Sequence, residues 1–290
     1  MTEKRYAEAE GVRLAYISKG RGEPLLLVHG ITTYSFLWRR MIPGLAKRFK
    51  VIAPDLLGCG DSDKPPDRSY SISAQADLLA RFLDALGIEK VHFTGHDIGG
   101  GIGQIFAVRY PERTTSLVLI NTIGYDYWPV QPITSMRIPI LRELGMAALD
   151  RGFLRLLVRR GLYHKDRVTE ELMDLFRAPL RTREGRRGFL RLAKSLDNRH
   201  LMDIAGDLKR MKTSTLIIRG DADPYLSPEI SERLHRDIPG SKLIVIPTGG
   251  HFIQEDEPEL LTEHIIDFIR EETGKEEVYE RERGDLPAEA

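Results

Sequence analysis

Short runs of aliphatic residues alternate along the chain with longer segments in which apolar positions recur every three or four residues, the arrangement expected of βαβ units on a parallel sheet. Six runs read as buried strands: Pro24–Val28, Val51–Ala53, Lys90–Thr94, Ser116–Ile120, Thr215–Ile218 and Lys242–Ile246. Each is closed by a turn signal. Helical spacing runs over Ala74–Leu86, stopped by Gly87, and over Gly100–Tyr110, halted before Pro111. No internal repeat is visible.

From about Tyr125 to Met211 the pattern changes, because no strand interrupts it and Leu, Phe and Met recur at helical spacing among many arginines. The chain is therefore expected to be α/β, with residues 1–124 and 212–270 forming a mostly parallel sheet flanked by helices and residues 125–211 forming a helical insertion. Arginines such as Arg155, Arg159, Arg160, Arg186 and Arg187 read as solvated helix faces in preference to an anion-binding surface. Residues 271–290, EETGKEEVYERERGDLPAEA, are acidic and poor in apolar side chains, and are expected to fray into disorder.

Composition narrows the picture mainly by exclusion. With 290 residues, 41 % hydrophobic, 30 % charged and a formal net charge of zero, the chain has the profile of an ordinary globular protein and no basic footprint for nucleic acid. The N-terminus MTEKRYAEAEGVRLAY has no apolar core of a signal peptide, and the longest aliphatic runs are strand-sized, so no membrane association and a cytoplasmic location are expected. One cysteine, Cys59, allows no intrachain disulfide and no thiolate metal cluster. No metal or cofactor is called for, and the expected partners are a small molecule and water. Nothing here sets an oligomeric state.

The segment Val91-His92-Phe93-Thr94-Gly95-His96-Asp97-Ile98-Gly99-Gly100 carries the most chemistry. It reads as a strand, a tight turn and a helix, with glycines at 95 and 99 placed symmetrically about Asp97. That spacing suits a nucleophile elbow, in which a strained central residue projects from the end of a sheet and bulky neighbours would clash. The competing reading is an Asp that merely caps the helix after it.

With Leu27-Val28-His29-Gly30, Trp38-Arg39 and Ala53-Pro54-Asp55-Leu56-Leu57-Gly58-Cys59-Gly60-Asp61-Ser62-Asp63-Lys64-Pro65 in the same order, the chain resembles the α/β-hydrolases, and within them the haloalkane dehalogenase and epoxide hydrolase branches that carry Asp in the elbow. The resemblance runs from about Pro24 to Asn121 and from Thr215 to Ile269, and makes the insertion a cap. It implies an acid after a later strand and a histidine after the last one. Asp223, in Gly220-Asp221-Ala222-Asp223, takes the acid's place, with Asp221 in reserve; His251, in Gly249-Gly250-His251, is the base. Of the remaining histidines, His29 and His96 are assigned to structural turns, His92 to a strand, and His164, His200, His235 and His264 to polar helical surroundings.

In the implied mechanism the carboxylate of Asp97 attacks an sp³ carbon and forms an alkyl ester, which a water activated by His251 hydrolyses with Asp223 orienting the imidazole. Backbone N–H groups of Ile31 and Ile98 would form the oxyanion hole. Several positions depart from the family pattern. Ile31 and Ile98 stand where many haloalkane dehalogenases hold halide with Asn and Trp; Thr32 replaces the proline of the epoxide hydrolase His-Gly-x-Pro; Gly100, Gly101 and Ile102 stand where fluoroacetate dehalogenases carry arginines. Tyr125, Tyr127 and Tyr163 are candidate proton donors, Tyr127 and Trp128 candidate walls of an apolar pocket, and Trp38 a core residue. An ester, thioester or lactone hydrolase, and a non-catalytic ligand receptor on the same scaffold, are the alternatives.

Overall fold

The computed structural model describes residues 3–129, 134, 138 and 152–274. Eight strands form one sheet in the order β1-β2-β4-β3-β5-β6-β7-β8. They are β1 Arg5–Ala9, β2 Val12–Lys19, β3 Pro24–Val28, β4 Lys50–Pro54, β5 Val91–Asp97, β6 Thr114–Thr122, β7 Thr215–Gly220 and β8 Lys242–Ile246. The pairs β1·β2 and β2·β4 are antiparallel; every other pair is parallel. All six expected strands are present. The charged N-terminus, in which no strand was expected, supplies β1 and β2 instead, turned back at Glu10-Gly11 with both residues at positive φ (51° and 75°).

The aliphatic runs of β3, β4, β6 and β7 are buried on both faces, whereas the edge strand β8 leaves Val245 exposed. Leu26, Ile52, Phe93, Leu119 and Ile217 pack into one core with Phe82 of α1 (Ile72–Ala85) and Phe106 of α2 (Ile98–Arg109). Leu25, Leu27, Val51, Val118, Leu216 and Ile218 pack into a second core, where Trp38 is wholly buried, as expected. The helix α1 begins earlier than its apolar pattern suggests because the Ser71 hydroxyl accepts the Ala74 N–H.

Among the described residues, the stretch 125–211 contains helices and no strand: α3 Leu154–Gly161, α4 Glu170–Arg177, α5 Arg183–Ser195 and two short turns at Arg199–Met202 and Ala205–Leu208. Arg155 and Arg177 pair with Glu170, and Arg181 with Asp174, which suits solvated faces. The helix α6 (Pro228–Asp237) follows β7. The last helix, α7 (Pro258–Thr273), runs on through the start of the expected tail and ends at Gly274 in the left-handed conformation. The remaining tail, 275–290, and residues 130–133, 135–137 and 139–151 of the insertion lie outside the described residues. No described helix is long and apolar enough to cross a membrane.

What this topology does for chemistry is set at β3 and β5. The chain leaves β3 toward β4 on one side and returns as β5 on the other, so the carboxyl ends of β3 and β5 open a crevice. Strand β5 passes into α2 without a loop, and the junction residue Asp97 is forced to φ 54°, ψ −119°. The neighbouring turn is too tight for side chains: a Cβ at Gly95 would lie 2.3 Å from the Gly99 carbonyl oxygen, and one at Gly99 would lie 2.2 Å from the Val28 carbonyl oxygen. Gly99→Ala is therefore expected to destabilise the protein by roughly 1–3 kcal/mol or more, as overpacking against rigid backbone does. Denaturant unfolding checks this; an unchanged midpoint would contradict the geometry.

Candidate active site

Asp97 is 5 % exposed at the carboxyl edge of the sheet. Its Oδ2 accepts the Ile31 N–H at 2.9 Å, and the Ile98 N–H beside the carboxylate also favours its charged form. Ile31 follows β3 and Ile98 opens α2, so the crevice between β3 and β5 supplies both donors. The side chain makes no bond to the later N–H groups of α2, so the capping alternative is not realised. Burial pushes the Asp97 pKa upward; the charge of His251 and the two N–H donors oppose this without cancelling it.

Opposite stands His251, on the loop after β8, with Nδ1 2.9 Å from Asp223 Oδ2. The Asp223 side chain is 1 % exposed, and its Oδ1 accepts the N–H groups of Tyr225 (2.8 Å) and Leu226 (3.2 Å). Burial disfavours the charge on each partner. Their mutual attraction and hydrogen bonding outweigh that, so the Asp223 pKa falls below, and the His251 pKa rises above, the ordinary values. With Nδ1–H donated to Asp223, Nε2 keeps its lone pair. Asp221, the reserve candidate, is exposed and paired with Arg219.

Two residues to which the sequence reading gave no part in the site grip the histidine loop. Asn121, at the end of β6 with φ 38°, donates through Nδ2 to the carbonyl oxygens of Gly250 (2.8 Å) and His251 (3.0 Å) and accepts the Gly220 N–H (2.8 Å). His96 is not in a turn but in β5, and its Nε2 lies 2.9 Å from the His251 carbonyl oxygen. Burial drives the His96 pKa down to about 3, so it donates as a neutral ring. His29 is held by the Gly30 carbonyl and the Leu56 N–H, and burial lowers its pKa to about 4.

Asp97 and His251 face a small cavity of about 90 Å³. Its other walls are Ile31, Thr32, Ile98, Ile123, Trp128, Pro129, Leu157, Leu196, Tyr225, Leu226 and Phe252. Trp128 is therefore where it was expected. Its indole N–H has no hydrogen-bond partner among the described residues. The three expected tyrosines are not at the cavity. Tyr125 points into the core, where its hydroxyl donates to Asp237 Oδ2 (3.0 Å) and Arg233 covers its ring, while Tyr127 and Tyr163 are 39 % and 44 % exposed. The tyrosine that does line the cavity is Tyr225, two positions after Asp223 and edge-on to His251 at 5.2 Å. Its hydroxyl is committed to the Leu157 carbonyl at 2.7 Å. No described cluster of His, Cys, Asp and Glu is arranged to hold a metal.

Comparison with known proteins agrees with this geometry. Residues 23–258 match the family described as alpha/beta hydrolase fold. Haloalkane dehalogenase 2 of Mycobacterium tuberculosis is 32 % identical over 276 residues, covering 91 % of this chain and 94 % of that one. A cis-3-alkyl-4-alkyloxetan-2-one decarboxylase of Shewanella oneidensis is 29 % identical over 281 residues, covering 92 % and 88 %. The solved structure of haloalkane dehalogenase DbeA from Bradyrhizobium elkani superposes with a TM-score of 0.82 at 26 % identity, covering 94 % of this chain and 99 % of that one. On fold, order of elements and extent of similarity alike, the chain belongs to the α/β-hydrolase family, in its haloalkane dehalogenase-like branch.

Proposed function

We propose that this chain hydrolyses small, mostly apolar electrophiles through a covalent ester on Asp97, with a haloalkane as the first substrate class. The observation that carries the reading is the carboxylate of Asp97 bonded by the Ile31 N–H, with the Ile98 N–H beside it, at the wall of an apolar cavity shared with His251. With Oδ2 held, Oδ1 attacks the substrate carbon and the leaving group departs with its bonding pair. His251 then takes a proton from water, whose oxygen adds to the ester carbonyl carbon. The oxyanion that forms is the former Oδ2, already bonded to the Ile31 N–H, with the Ile98 N–H beside it. Collapse breaks the acyl–oxygen bond, the alkoxide receives the proton from His251, and the carboxyl proton passes to solvent. The helical insertion acts as a cap, since Trp128, Leu157 and Leu196 complete the cavity.

The substrate preference follows from which donors are free. Opening an epoxide calls for a hydroxyl on its oxygen, yet the Tyr225 hydroxyl is spent on a main-chain carbonyl and the three cap tyrosines lie elsewhere. A halide departs as a stable anion and asks for no proton donor. With Ile31 and Ile98 giving no side-chain donor, bromide and iodide should leave more readily than chloride. A four-membered lactone is the second reading, favoured by the same scarcity of donors: its carboxylate leaving group stays attached to the substrate and needs no separate cradle.

Bromide release from bromoalkanes, diol formation from styrene oxide and lactone or p-nitrophenyl ester cleavage, run side by side, discriminate these classes; turnover of none would favour the receptor alternative. In His251→Gln the attack should survive while turnover drops by roughly 10²–10⁴-fold, the usual worth of a general base. Intact-protein mass should then show the alkyl group on Asp97, and a protein left unmodified would contradict the covalent route.

A pH profile separates the two steps. His251 must be neutral to accept a proton, and its pKa stands above 6.5, so steady-state turnover should fall as pH drops through a value above 6.5. Asp97 must be ionised to attack, and burial moves its pKa upward from 3.8, so the alkylation burst should fall in acid on a limb of its own. Ester formation removes the Asp97 charge and leaves Asp223 to support the imidazolium. Burst and steady-state rates with a common acid limb would contradict this assignment.

A further inference from the structure

Five residues beyond His251, Asp256 closes the short helix Ile253–Asp256 with its side chain wholly buried. Its carboxylate accepts three main-chain N–H groups: Gly250 (2.9 Å) and Tyr163 (2.8 Å) on Oδ2, and His164 (2.9 Å) on Oδ1. A carboxylate removed from water is costly unless charge-assisted bonds of this kind replace its hydration. Where the three donors come from is what matters. Gly250 adjoins His251, while Tyr163 and His164 follow α3, whose Leu157 lines the cavity.

Other bonds fasten the same two segments. The Phe252 N–H donates to the Gly161 carbonyl at 3.0 Å, and Arg167 donates to the carbonyl oxygens of Glu255 and Asp256. The segments meet so closely that a Cβ on Gly250 would lie 2.5 Å from the Gly161 oxygen and 2.8 Å from the Tyr163 nitrogen.

We infer that Asp256 is a positioning residue that locks the His251 loop to the cavity wall carried by α3, so that imidazole and bound ester keep one geometry. The inference rests on His251 being the base that hydrolyses the ester. It assigns Asp256 no contact with substrate. Its effect should therefore fall on hydrolysis, which needs the imidazole aimed at a water, and spare the attack, which needs only Asp97. Asparagine preserves the size but turns an N–H donor toward one of the three N–H groups, and so loosens one arm of the lock.

The test compares Asp256→Asn with wild type on 1-bromobutane by rapid quench. Steady-state bromide release should fall about 10–100-fold, the usual cost of losing a partner that orients an active group, while the alkylation burst keeps its rate and alkyl-enzyme accumulates. A substrate-free readout runs in parallel: the proton resonance of the His251 Nδ1–H shared with Asp223, identified by its loss in His251→Gln, should broaden or shift in Asp256→Asn. Turnover and resonance both at wild-type values would overturn the inference, as would burst and turnover falling together. Should the variant not fold, amide exchange in the wild type decides: Gly250, Tyr163 and His164 should open together, and independent opening would overturn it. No bromide release from wild type would count against the aspartyl-ester reading alone, with the resonance comparison still deciding the role of Asp256.

Discussion

Holding an ionised carboxylate out of water at the tip of a sheet is the constraint from which the rest of the site follows. Burial works against the charge of Asp97, and the N–H groups of Ile31 and Ile98 recover only part of the loss. Those two donors occur together because β3 and β5 are neighbours that end side by side while their following segments diverge. The strained backbone at Asp97 keeps the carboxylate between them, and the close approach of Gly95 and Gly99 to surrounding carbonyls makes that backbone possible. On the proposed reading, the state that folding tolerates least well is the one that reacts, a trade of stability for function.

The histidine side of the site solves a different problem. The loop after β8 carries His251 with little regular structure of its own, and main-chain bonds from Asn121, His96 and Asp256 replace that rigidity. Asp223 sets the tautomer, the other three fix the loop, and α3 is drawn in with it. The helical insertion is in this sense continuous with the His251 loop: Leu157 borders the cavity, receives the Tyr225 hydroxyl and precedes the turn held by Asp256.

Much of this was legible in the sequence wherever a local pattern has one physical meaning. Aliphatic runs bounded by turn residues exposed β3 to β8, and two glycines about Asp97 made the elbow readable. The β1–β2 hairpin escaped because an edge strand with one wet face, RYAEA, looks like a charged terminus. Asn121 and Asp256 escaped because they act on main-chain groups about 130 and 93 residues away, which leaves no trace in local spacing. Tyr125, Tyr127 and Tyr163 were misread since residue type says nothing of direction; Asp237 and Arg233 draw the first into the core. For Tyr225, its place two residues after Asp223 was the available signal.

The central claim is that water attacks an ester on the protein and not the substrate itself. A single turnover in ¹⁸O-labelled water, with enzyme in excess over 1-bromobutane, tests it most directly. The account predicts that the label enters the carboxyl group of Asp97, found by mass spectrometry of its peptide, while the first alcohol released carries unlabelled oxygen from the enzyme. Label appearing in that first alcohol, with none in Asp97, would contradict it.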